Sequence, residues 1–199
     1  MKISENLFVP LKQESAARNA ILPALVSYAT RKYPDYTALN CKLAQLYGAA
    51  LASGVQKIGG FQALNLSVSG LANRYAFGGE DMFTQLSDLL FDVMFDPLRD
   101  EDGLLSEEGF RQKQRALLET LDAEYNDKIV YAHRRCEELL FQGQSAAFGS
   151  FGIKEQIAAL DRKTVSQAWE EILHSAQFEV FVLGDCVPHE ELFVKRFAG

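Results

Sequence analysis

Residues 19–36, NAILPALVSYATRKYPDY, open with apolar residues at helical spacing and carry Pro23 in their midst. Ile21, Ala24, Leu25 and Tyr28, with Ala17 upstream, form one stripe. That stripe predicts a helix from about Glu14 to Lys32 that buries one face. Proline lacks the amide that would bond the Asn19 carbonyl and its ring crowds that carbonyl, so the helix is expected to bend or to start late. No side chain from Asn19 to Tyr28 could serve as a metal ligand or a strong base.

Before this helix, NLFVPL (6–11) reads as a short strand ended by Pro10. After it, YPDY breaks the pattern; Pro34 suits a first helical turn and Asp35 its positive end. Leu39, Leu43, Leu46 and Tyr47 then give a second amphipathic face, closed by Gly48. GVQKIGG and FQALNLSVSG (54–70) alternate and predict an antiparallel hairpin turning at Gly59-Gly60. Residues 80–97 return to helix and stop at Pro97.

Ser106 caps the longest helical region, which reaches about Gln142 and is expected to break near YNDK (125–128). AAFGSFG (146–152) is a loop, followed by a short helix near 153–160. A further helix carries Val165, Ala168, Trp169 and Ile172 on one face. FEVFVLGD (178–185) is the clearest strand, and its continuous apolar run predicts a central, buried position. Strands and helices do not alternate regularly, which disfavours a parallel doubly wound sheet. The expected fold is α+β: a mainly antiparallel sheet with helices packed on one side, one domain over 1–199.

Composition narrows the function. The net charge is −7, and the densest basic clusters are the pairs Arg31-Lys32 and Arg134-Arg135. A nucleic-acid surface needs a concentrated basic face, so none is expected. No apolar run approaches the roughly 20 residues of a membrane span, and the first 15 residues hold no export signal. Cys41, Cys136 and Cys186 are odd in number and far apart, which reads as reduced thiols and a cytoplasmic location.

Catalytic motifs are absent: the chain has no G-x-S-x-G, C-x-x-C or G-x-x-x-x-G-K-[ST]. His133 and Cys136 stand one helical turn apart in HRRC, a spacing that suits a soft metal but lacks two further ligands. His174 ends a helix, and His189 opens the last one. The adjacent carboxylates, such as Glu107-Glu108 and Glu137-Glu138, point apart on a helix and read as solvated faces. No catalytic residue, metal ligand or cofactor is expected from these residues.

Taken in order, ARNAILPALVSYATRKYPDYTALNCKLAQLYGA, FDVMFDPL, FRQKQRALLETLDAEYNDKIVYAHRRCEELLF, FGSFGIKEQIAALD and FEVFVLGD resemble the first domain of the M16 (insulinase-like, pitrilysin-like) zinc peptidases. The resemblance covers nearly the whole chain. It is strongest to a branch of shorter bacterial peptidase-like proteins associated with modification of elongation factor P.

Active members of that family carry H-x-x-E-H on the first helix, with two zinc ligands and the general base. The resemblance places this motif on Ala20, Pro23 and Ala24, none of which can perform those roles. No His or Glu lies between Ala16 and Asp35 to replace them. The family's third ligand lies in an E-x-x-x-V-x-x-E run, matched here by KQRALLET, which puts Lys113 and Thr120 at the acidic positions, with Glu119 one residue away.

The resemblance therefore implies a single, non-catalytic M16-type half-domain, a fragment of a longer two-domain protein. Its expected partner is a zinc-bearing M16-type subunit or a second copy of itself, with an extended peptide as a further ligand. Two alternatives stand beside it. One is an active zinc peptidase using His133, Cys136 and an acid; the other is an unrelated α+β binding module.

Overall fold

The computed structural model describes residues 1–185 and 190–197. Strand β1 (Lys2–Pro10) leads into helices α1 (Gln13–Val26) and α2 (Tyr36–Gln45), then the hairpin β2 (Ala50–Ile58) and β3 (Phe61–Ser69). Helices α3 (Met82–Phe95), α4 (Glu107–Asn126), α5 (Lys128–Leu140), α6 (Lys154–Ala158) and α7 (Arg162–Ser175) follow. Strand β4 (Gln177–Leu183) and helix α8 (Glu190–Phe197) complete the described chain. The sheet order is β2-β3-β1-β4, and every neighbouring pair is antiparallel. The fold is α+β, as the sequence predicts.

The core lies on one face of this sheet. Side chains alternate along a strand, so Ile3, Leu7 and Val9 of β1 share a face with Leu64, Leu66 and Val68 of β3. Helices α1 and α3 pack over β3, and α7 packs on β1 and α1. Trp169 of α7 is fully buried and donates its indole N–H to the Met94 carbonyl at 3.1 Å, tying α7 to the end of α3. The opposite face carries the Asn6–Asn65 amide pair at 2.8 Å.

Four expectations change. The first strand is not short: β1 spans nine residues and pairs along its length with β3, Lys2↔Ser69 to Pro10↔Phe61. The α1 helix neither starts late nor reaches Lys32. It runs Gln13–Val26 with Pro23 in its last turn, and the Ser27 hydroxyl donates to the Pro23 carbonyl at 2.8 Å. Residues 30–33 form instead a tight turn in which the Tyr33 amide donates to the Thr30 hydroxyl. The next helix begins at Tyr36, not Pro34, because the Asp35 carboxylate accepts from the Ala38 amide at 2.7 Å and so acts as N-cap.

The fourth change is the largest. FEVFVLGD is not central: β4 is an edge strand, paired only with β1 among the described residues. Phe178, Val180 and Val182 turn toward the core, while Phe181 and Leu183 on the other face are 57% and 73% exposed. An uninterrupted apolar run reports that both faces of a strand are apolar; it cannot report whether another strand lies beside it.

Other local readings hold. The hairpin turns at Gly59-Gly60, where Gly59 takes a left-handed φ of 58°. The long helical region breaks at Asp127, whose carboxylate accepts from the Ile129 and Val130 amides and starts α5. Cys186 and His189 lie outside the described residues.

Candidate functional site

Helix α1, strand β2 and helix α4 enclose a pocket of about 320 Å³. From α1 come Ala20, Ile21, Pro23 and Ala24; from β2, Ser53, Gly54 and Val55; from α4, Lys113, Ala116, Leu117 and Thr120. Phe151, in the loop before α6, closes one side. Residues 20, 23 and 24 share a pocket because i, i+3 and i+4 stack on one helical face. Residues 113, 117 and 120 do so for the same reason on α4.

The structure thus brings Ala20, Pro23, Ala24, Lys113 and Thr120 to one cavity, across about 90 residues of sequence. Glu119 is not part of it. Its carboxylate accepts from Arg115 at 2.8 Å on the solvent side of α4. The Thr120 hydroxyl donates to the Ala116 carbonyl at 2.9 Å. The pocket's second hydroxyl, that of Ser53, lies 3.2 Å from the Ser27 hydroxyl, which links the end of α1 to β2.

Among the described residues, Lys113 is the only charged side chain lining this cavity. Its ammonium lies 5.8 Å from the centre of the Tyr28 ring, a cation–π distance. Burial pulls its pKa below the ordinary lysine value. A divalent cation placed here would meet an ammonium, apolar side chains and two hydroxyls. That donor set does not fit zinc, which takes Cys, His and carboxylate ligands.

The α5 helix provides the other polar cluster. The Lys57 ammonium donates to Glu137 at 2.5 Å and to the Ala146 carbonyl at 3.0 Å, and this bond holds Glu137 below the usual carboxylate pKa range. Arg134 lies 3.5 Å from Glu124 and 3.4 Å from Glu138. His133 and Cys136 are exposed on α5, with His133 Nδ1 3.8 Å from Glu137. Among the described residues no three His, Cys, Asp or Glu side chains come together as a metal-binding group. His174 stands in the last turn of α7, at its negative end.

Sequence reading missed Ser53, Gly54, Val55 and Phe151 as parts of the cavity. The alternation of β2 marks Val55 as core-facing, but nothing local to Phe151 points to α1.

No family profile matches the chain. It is 20% identical over 179 residues to the Bacillus subtilis (strain 168) protein named Probable inactive metalloprotease YmfF, covering 90% of this chain and 42% of that protein. A crystal structure of a conserved protein from Enterococcus faecalis V583 superposes with a TM-score of 0.88 at 26% identity, over 98% of this chain and 45% of the other. The crystal structure of a peptidase M16 inactive domain from Pseudomonas fluorescens gives a TM-score of 0.60 at 12% identity, over 84% of this chain and 37% of the other. The chain therefore spans under half the length of these relatives. Its fold is that of an M16 half-domain, and the relative matched by sequence is named as inactive. None of the names refers to elongation factor P. Among the described residues no helix is long and apolar enough to cross a membrane.

Proposed function

We propose that this chain is a non-catalytic M16-type domain that acts by association, as a partner or regulatory subunit that helps hold an extended peptide. The observation that supports it is the α1–β2–α4 cavity. Ala20, Pro23, Ala24 and Thr120 line it where the family resemblance puts two zinc ligands, the general base and the third ligand. The helices that would present a zinc site keep their packing, while the side chains at those positions are three apolar residues and a hydroxyl.

Two surfaces suit association. Strand β2 is a sheet edge beside the cavity, and a peptide can add to such an edge through main-chain hydrogen bonds. The outward face of β4, with Phe181 and Leu183, offers apolar area to a zinc-bearing M16-type partner or a second copy.

The test joins three measurements on the 199-residue chain: zinc content, cleavage of unstructured peptides, and co-purification with an H-x-x-E-H protein from the source cell. The expected results are no bound zinc, no chelator-sensitive cleavage, and capture of an M16-type partner or self-association. Tightly held zinc together with chelator-sensitive cleavage overturns the proposal.

A further inference from the structure

The cavity offers no zinc-type ligand among the described residues, and it holds a cation. Lys113 projects from α4 into a space otherwise lined by apolar side chains and hydroxyls, and it has no hydrogen-bond or ion-pair partner among the described residues. Other cations on the neighbouring elements are matched, Lys57 with Glu137, Arg115 with Glu119, and Arg134 with Glu124 and Glu138. A half-buried ammonium has given up part of its hydration, and the charge-assisted hydrogen bonds of a carboxylate offset that loss.

The neighbouring backbone shows how such a carboxylate would be delivered. Ser53, Gly54 and Val55 of edge strand β2 form one wall of the cavity. Gly54 stands clear, since a methyl group built there would meet no atom within 4 Å. A strand laid along β2 would alternate its side chains, sending every second one toward the helix face that holds Lys113.

We infer that the α1–β2–α4 cavity is an acid-selective subsite, in which Lys113 receives the carboxylate of a Glu or Asp side chain from an extended peptide paired with β2. This rests on the peptide-holding reading above and gives that reading a substrate class. The neutral hydroxyls of Ser53 and Thr120 supply polar contacts around the carboxylate, and no acid among the described residues lines the cavity beside the ammonium. Burial also makes the pair stronger than it would be on the surface. The occupant is an acidic segment rather than a free anion, because the open edge of β2 borders the same space.

The experiment compares three fluorescent nonapeptides of alternating Thr and Val, identical except for Glu, Gln or Lys at the centre, by anisotropy with the 199-residue chain. The Glu peptide is expected to bind roughly tenfold more tightly than its Gln isostere, the size of one charge-assisted contact. Lys113→Met should erase that difference, Lys113→Arg should keep most of it, and Lys113→Glu should transfer the preference to the Lys peptide. Equal affinity of the wild-type chain for the Glu and Gln peptides overturns the acid-selective subsite and leaves the peptide-holding reading in place. Failure of all three peptides to bind overturns both. The wild-type comparison needs no variant, so it stands even if one substitution impairs folding.

Discussion

Asn19 of α1 and Gln62 of β3 are joined by a buried hydrogen bond between their side-chain amides: Asn19 Nδ2 donates to Gln62 Oε1 at 3.1 Å. Gln62 also donates to the Ala16 carbonyl at 3.0 Å and the Ser150 carbonyl at 2.6 Å. One side chain thus fixes the first helix and the 146–152 loop to the sheet, and so sets two walls of the cavity. Gln62→Ala should cost about 2–4 kcal/mol, because it removes three hydrogen bonds, two of them buried. Urea unfolding of Gln62→Ala, Asn19→Ala and the double variant gives the coupling, which should be well above that of independent sites. Additive effects would show that the amide pair carries no special weight.

Glu5 lies fully buried on the core face of β1, opposite Leu66 and Val180, and neither carboxyl oxygen has a partner among the described residues. Burial pushes its pKa from 4.5 up to about 8. The sign follows from proton counting. Between these values the unfolded chain has released the proton and the folded chain keeps it, so stability is greatest below pH 4.5 as far as this group is concerned. It declines as pH rises through 8, by up to about 1.4 kcal/mol per pH unit. Glu5→Gln should flatten this dependence and raise stability at pH 8. Denaturant titrations of both proteins from pH 5 to 9 decide it; parallel curves would count against a neutral Glu5.

Rebuilding the family motif tests the cavity directly. Ala20→His, Pro23→Glu and Ala24→His together should yield a protein with little zinc, since two histidines alone do not make a catalytic site and Lys113 opposes a cation. Adding Thr120→Glu should raise zinc content toward stoichiometric, measured by mass spectrometry of the dialysed protein. Full zinc loading of the triple variant would show that the third ligand comes from elsewhere.

Pro23→Ala restores an amide that can bond the Asn19 carbonyl but removes ring atoms from a buried position. The two effects oppose, and the net change should fall within about 1 kcal/mol. Thermal unfolding provides the measure. A loss of 3 kcal/mol or more would mean that ring packing, not helix geometry, keeps the proline.

The outward face of β4 should drive association. Phe181 and Leu183 are the most exposed apolar residues on that strand. Sedimentation at micromolar concentration is expected to show species above the monomer, shifted to monomer by Phe181→Lys with Leu183→Lys. The hairpin tip at Ile58 and Phe61, each 50% exposed, is the internal comparison, and Ile58→Lys should have the smaller effect.

Local chemistry in the sequence settled several features. Asp127 alone suffices to divide α4 from α5, and Gly59-Gly60 to turn the hairpin, because caps and turns are satisfied within a few residues. The lack of His or Glu from Ala16 to Asp35 is likewise a property of the sequence itself. Sheet order was not available there: the apolar run of β4 is the same whether the strand is central or at an edge, and its place beside β1 is set by pairing across about 175 residues. The family resemblance already grouped Lys113 with Ala20 and Pro23, but only the tertiary structure left Glu119 outside their cavity and enclosed Glu5 with no partner among the described residues. A side chain's charge is written in the sequence, but its solvent and its neighbours are decided by which distant elements pack against it.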